Sequence, residues 1–337
     1  MKYRICSAVA LRIVLFGTLI PLALSSASLA QSNPTRDTQL TWSTSGAEHV
    51  YGFPDTKSGK KGTLVLSADT LTFTDKASNS SIPRSTILAV SNGSDRVELF
   101  GTTGRIVRMM IPDGGGLAAA AVMHHRVGML TIDFVDAWGG RHAAVFNMPP
   151  AQAEAGVALF SQTPVASQPP PSPNICANRA VTPGSVLVAT PNWNNAQVPA
   201  AYRALVYEHV VNRLQGLKGV SRVYRDGSVP SDGACSAYTV RISVRRFKQG
   251  NQIERASLGP VGMFVGATQL SFDFKITDPS GRVNQSEQVK ASIRMESEST
   301  GVADKLAKAL AKQYLATLKS QEAAAPNVQV AEESAFR

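Results

Sequence analysis

The sequence predicts an α+β chain organised as two domains, and three observations carry that prediction. Residues 40–160 are dominated by short alternating runs and end in one helix-forming segment. Residues 176–320 mix helical periods with three longer alternating strands, the pattern of an α/β domain whose mainly antiparallel sheet is covered by helices on one face. Between them, residues 161–175 are proline-rich and uncharged and read as a semi-rigid linker.

In the first part, Thr63–Leu66 and Thr70–Phe73 alternate apolar with polar side chains around Ser67, Ala68 and Asp69, a hairpin signal. Ile82–Val90 is β-type, and Pro83, which has no amide hydrogen to give a ladder, marks an edge. Val97–Phe100 and Ile106–Ile111 follow. Met129–Val135 alternates strongly, Asp136–Gly140 makes a turn, and His142–Met148 returns. Pro149 and Pro150 open a helix over Ala151–Phe160.

In the second part, Val186–Ala189 is a short apolar strand. Pro199 opens a helix to about Gln215, with Tyr202, Leu205, Val206, Val210 and Leu214 as its stripe and Gly216 as its stop. Val220–Tyr224 is another strand. Three longer ones follow, carrying Tyr238, Val240, Ile242 and Val244, then Leu270, Phe272, Phe274 and Ile276, then Val289, Ala291, Ile293 and Met295 on one face. Asp278–Gly281 is a turn. Residues 302–319 form a closing helix with Val302, Leu306, Leu310, Tyr314 and Leu318 inward and lysines outward.

Residues 1–30 have the layout of an export signal. Lys2 and Arg4 lead, Ile13–Leu24 is apolar, and Ser28, Leu29 and Ala30 form a small-x-small cleavage site. The expected product is exported, to the periplasm or beyond, with no transmembrane span in the mature chain. That address argues against nucleotide-dependent chemistry. Residues 321–337 read as a disordered tail. Cys6 leaves with the signal; Cys176 and Cys235 remain, and in an oxidising compartment the expectation is that they pair. Such a bond would stabilise by about 4 kcal/mol in the chain-entropy picture. The alternative is two buried thiols.

Charge is unevenly placed. Removing the signal lowers the formal net charge from +10 to +7, and residues 31–165 carry eleven basic and eleven acidic side chains, so the whole excess lies in the second part. If its three long strands are neighbours, Arg241, Arg245, Lys275, Lys290 and Arg294 project from the same side, with Asp273 among them. Side chains at matching heights there stand about 5 Å apart, which suits phosphate or carboxylate groups between them. A solvated sheet face is the plainer reading.

GTLVLSADTLTFTD, SIPRSTILAVS and GMLTIDFVDAWGGRHAAVF, with the helix after them, resemble bacterial pleckstrin-homology-like (PH-like) and GRAM-like domains. The resemblance implies a PH-like barrel with a carboxy-terminal capping helix. VRISVRRF, GPVGMFVGATQLSFDFKITDPSG and the final helix resemble exported envelope domains of unknown function, with a TolB amino-terminal or CsgG-like α/β fold. This second resemblance implies no catalytic residues.

Other motifs are weaker. Gly259, Gly262 and Gly266 lack the Gly-Lys-Ser/Thr of a phosphate loop, so no nucleotide cofactor is expected. His124, His125 and His142, with Asp133 and Asp136, lack metal-ligand spacing. No Gly-x-Ser-x-Gly occurs. The outward strand positions hold no aromatic interleaved with the cations, which argues against nucleic acid. Residues 111–123, rich in Gly and Ala, read either as a membrane- or partner-touching loop or as a packed turn and helix. The expectation is a non-enzymatic envelope protein that binds or scaffolds a protein partner or anionic lipid or glycan. A periplasmic hydrolase is the rival class.

Overall fold

The computed structural model describes residues 41–98, 124–161, 179–194, 196–228, 233–250, 267–293 and 300–324. The expected strand at Ile106–Ile111, the apolar segment 111–123, the export signal, the linker and Cys176 lie outside them. So do the glycines of GPVGMFVG and Arg294.

The first sheet holds β1 (Trp42–Tyr51), β2 (Lys60–Leu66), β3 (Thr70–Thr74), β4 (Asn79–Pro83), β5 (Ile87–Glu98), β6 (His124–Val135) and β7 (Arg141–Met148). Its order is β4-β3-β2-β1-β7-β6-β5, and each neighbouring pair in it is antiparallel. Pro83 does lie on an edge strand. Among the described residues, β4 and β5 are open edges, so the sheet is not the closed barrel that the resemblance implied. Helix α1 (Pro150–Ser161) follows and buries Ala153 and Phe160 against one face. That face is a core of Leu64, Leu71, Phe73, Leu130, Ile132 and Phe146.

His49 sits inside this core, 1% exposed. The Phe53 N–H donates to its Nε2 at 3.0 Å, so the proton is on Nδ1, which donates to the Lys57 carbonyl at 3.2 Å. Both ring nitrogens are satisfied by the neutral form alone.

The second sheet holds β8 (Val181–Val188), β9 (Arg222–Arg225), β10 (Cys235–Lys248), β11 (Thr268–Thr277) and β12 (Val283–Ile293), in the order β12-β11-β10-β8-β9. It is mixed. The pairs β10–β11 and β11–β12 are antiparallel, whereas β10–β8 and β8–β9 are parallel. The expectation of a mainly antiparallel sheet understated the parallel half: the strand, helix and strand read over 186–224 form a crossover that makes β8 and β9 parallel, while the pairing of β8 with β10 leaves no hairpin turn in the sequence. Helices α2 (Ala200–Gln215) and α3 (Gly301–Ala324) cover one face. Val240, Ile242, Val244, Phe272, Phe274 and Ile276 point into that layer together with Leu306, Leu310 and Tyr314. Pro199 is the residue before α2 and not its first turn. No helix is long and apolar enough to cross a membrane among the described residues.

Both sheets belong to one compact unit, and α2 is shared between them. Met129, Ala143 and Val145, on the face of the first sheet away from α1, fall in the same apolar cluster as α2 and the second sheet. Strand β1 pairs with β7 only as far as Tyr51↔Val145 and then leaves. The rest of the β7 edge is taken up by the other half of the chain. The Arg141 N–H donates to the Asp226 carbonyl at 3.0 Å, the Arg225 guanidinium to the Arg141 carbonyl at 3.0 Å, and the Ala143 N–H to Glu208 Oε1 at 2.9 Å. Backbone groups that would be orphaned inside the junction are thereby satisfied.

Candidate anion-binding face and the junction beside it

The outer face of the second sheet is built by register. Arg241 stands opposite Lys275, Ser243 opposite Asp273, and Ser271 opposite Lys290. The alternation predicted for these strands therefore places Arg241, Lys275 and Lys290 in solvent while their neighbours fill the core. The ladder slips between Val244 and Arg246, so Arg245 is the extra residue of a bulge. That slip leaves both Arg245 and Arg246 exposed and still returns Phe247 to the apolar side, opposite Leu270. Arg245 is ion-paired with Asp273. Arg241, Lys275 and Lys290 have no such partner among the described residues. The rest of this face is mainly Thr239, Gln269, Thr277, Ser286, Gln288 and Ser292, with Val283 exposed opposite Thr277 and Leu187 of β8 opposite Thr239, so it is mostly hydrophilic. Cys235, 6% exposed, starts β10.

The junction holds what sequence reasoning missed. Glu208 is 4% exposed and makes a two-pronged pair with Arg225, both contacts at 2.8 Å. A carboxylate three residues after Leu205 and two before Val210 lies within the buried stripe of α2, and that position was the available signal: a charge there needs a buried cation. Tyr207 accepts from the Asp226 N–H at 3.0 Å. Burial pushes its phenol well above the ordinary range.

His142 is placed by the β6–β7 turn. Asp136 Oδ1 accepts from the Trp138 and Gly140 amides at 2.8 Å each, and its Oδ2 meets His142 Nε2 at 3.1 Å. Burial, then the nearby Arg225 cation, holds His142 below its ordinary value. The expected companions separate: Asp133 points to a neighbouring cleft, and His124 and His125 stand opposite Glu98 and Val97 in the β5–β6 ladder. Among the described residues no group of three or more His, Cys, Asp or Glu is arranged to hold a metal. No serine or cysteine there hydrogen-bonds to His142.

No family model matches the chain, and no curated protein matches it in sequence. Among solved structures, a Xanthomonas campestris protein of the DUF330 family is similar at 17% identity and a TM-score of 0.31, over 43% of this chain and 95% of that one. The PelC dodecamer from Paraburkholderia phytofirmans is similar at 20% identity and a TM-score of 0.30, over 38% of this chain and 87% of that one. At such scores neither likeness bears on what this chain does.

A second histidine lies at the junction. His209 stacks on Tyr51 with ring centroids 4.1 Å apart and lies 4.0 Å from Asp304, which also binds Arg213 and Lys308. Burial lowers the affinity of His49, His142 and His209 for protons below the ordinary value of 6.5. The unfolded chain therefore takes up these protons first as pH falls, and stability drops from about pH 6.5 downward. Each histidine contributes at most about 1.4 kcal/mol per pH unit within its window. Asp133, whose carboxyl burial holds above its usual range, acts in the opposite sense. Urea midpoints at about pH 7.5 and 5.5 check this: the midpoint should be lower at the acid end, and an unchanged one would remove these histidines from the account.

Proposed function

We propose that this chain is an exported, non-enzymatic binding protein that engages the anionic surface of envelope lipid through the outer face of its second sheet. The observation that carries the reading is the cross-strand placement of Arg241 against Lys275, with Lys290 nearby and one acid, Asp273, already occupied by Arg245. Like charges held at that spacing repel, and an external anion relieves the repulsion. Among the described residues this face carries mainly short hydroxyl and amide side chains, with Val283 exposed at the start of β12. It suits an array of charged head groups met at the surface. The signal-like first thirty residues and the placement of the net charge in the second half agree with that address. The seven-stranded sheet followed by a closing helix supports a PH-like reading of the first half.

Each cation near an anionic bilayer contributes about 1 kcal/mol, so reversing three of them should weaken binding by about 100-fold or more. The test is sedimentation of the mature protein with phosphatidylcholine vesicles, with and without phosphatidylglycerol, for the natural chain and for R241E/K275E/K290E. Binding should need phosphatidylglycerol, fade as salt is raised, and vanish in the variant. Binding that survives the triple reversal would place the contact elsewhere, and capture by an anionic polysaccharide without any vesicle binding would favour glycan over lipid.

A further inference from the structure

A cleft of about 290 Å³ lies where segment 190–193 and the first half of α2 meet β6 and β7. Its charged lining is Asp133 of β6, Arg141 of β7 and Arg203 of α2, and Trp193 and Tyr207 give it aromatic walls. Arg203 and Arg141 act on Asp133 electrostatically without closing on it as an ion pair. Arg225, whose charge acts on His142 in the same lining, is committed to Glu208. Two guanidinium groups against one carboxylate leave the cleft with one unbalanced positive charge. Its volume, at the low end for ligand sites, admits a single ring and a head group.

We propose that this cleft binds a small monocarboxylate with a flat apolar body. One negative charge balances the lining, and the planar forks of Arg141 and Arg203 match a carboxylate's two oxygens. The flat body lies against Trp193, where ring faces pack favourably. This site is separate from the basic outer face of the second sheet, and neither reading depends on the other.

Benzoate is the probe, with benzamide as its uncharged equivalent and inorganic phosphate as a ringless anion. Binding is followed by calorimetry and by tryptophan fluorescence. Benzoate should saturate, and both comparison compounds should bind roughly tenfold or more weakly, the loss expected when a charge-assisted contact is removed. R203Q should weaken benzoate by a similar factor, and W193F should abolish the fluorescence change. R203K, which keeps the charge and loses the fork, should fall between and serves if R203Q does not fold. R241E/K275E/K290E should bind benzoate like the natural chain. The proposal is overturned if benzoate does not saturate, if benzamide or phosphate matches it, if R203Q binds unchanged, or if the sheet-face variant loses the ligand.

Discussion

Glu208→Leu is expected to cost about 3–5 kcal/mol, because it leaves the Arg225 cation buried without a counter-charge. It also removes the acceptor of the Ala143 N–H at the point where β1 has already left β7. That amide hydrogen has no replacement inside the junction, and an unmet buried donor adds about 1–3 kcal/mol on its own. The informative comparison is the double variant E208L/R225M. An apolar pair of similar size removes both charges and should recover most of the loss. Denaturation midpoints and slopes for both singles and the double, at neutral pH, give the coupling. If the double is as unstable as the single, the loss comes from packing or from the orphaned amide and not from the charge.

Gly52→Ala should be comparably severe. Gly52 has φ +88°, and a Cβ there would sit 1.9 Å from the Ala143 carbonyl oxygen and 3.2 Å from Glu208 Cγ. The left-handed backbone costs an L-residue about 1 kcal/mol or more. The clash is with backbone that the sheet holds on its other side, so it cannot be relieved by turning a side chain. Together they should cost about 3 kcal/mol or more, enough to reduce soluble yield in a marginally stable protein. Gly46 is the control. It lies in β1, six residues before Gly52, at φ +77°, with nothing within 4 Å of its Cβ position. Gly46→Ala should therefore cost about 1 kcal/mol, the backbone part alone. Equal losses at both positions would show that crowding at Gly52 is unimportant.

The strands that the sequence makes plain are those with one wet and one dry face. Val240, Ile242 and Val244 in β10, and Phe272, Phe274 and Ile276 in β11, could be assigned to the core by counting alone, and Arg241 and Lys275 to the opposite face. Strand β1 gave no such signal, because its inward positions include Thr44, Ala47 and His49, small or polar residues that alternation does not pick out. Strand β5 reads as two pieces, since Asn92, Gly93, Ser94 and Asp95 interrupt its apolar pattern. As an edge strand paired to β6 throughout, it needs only the ladder to continue. The bulge at Arg245 and the parallel pairing of β8 with β10 were hidden for a different reason. Both are properties of which strand lies alongside, and a single strand's side chains do not encode its neighbour. The same holds for Glu208 and Arg225, seventeen positions apart in sequence and joined only once α2 and β9 are laid together.

The shared helix α2 has a consequence for how this chain tolerates change. A side chain such as Val206 or Val210 lies in a layer bounded by two different sheets. A volume that improves its fit to one sheet must be accepted by the other, so beneficial single substitutions there should be scarce, and useful ones should come as matched pairs on opposite sides. The outward rows of β10, β11 and β12 carry no such double obligation. They can be rewritten one residue at a time, which leaves the chain free to retune its surface chemistry without disturbing its architecture.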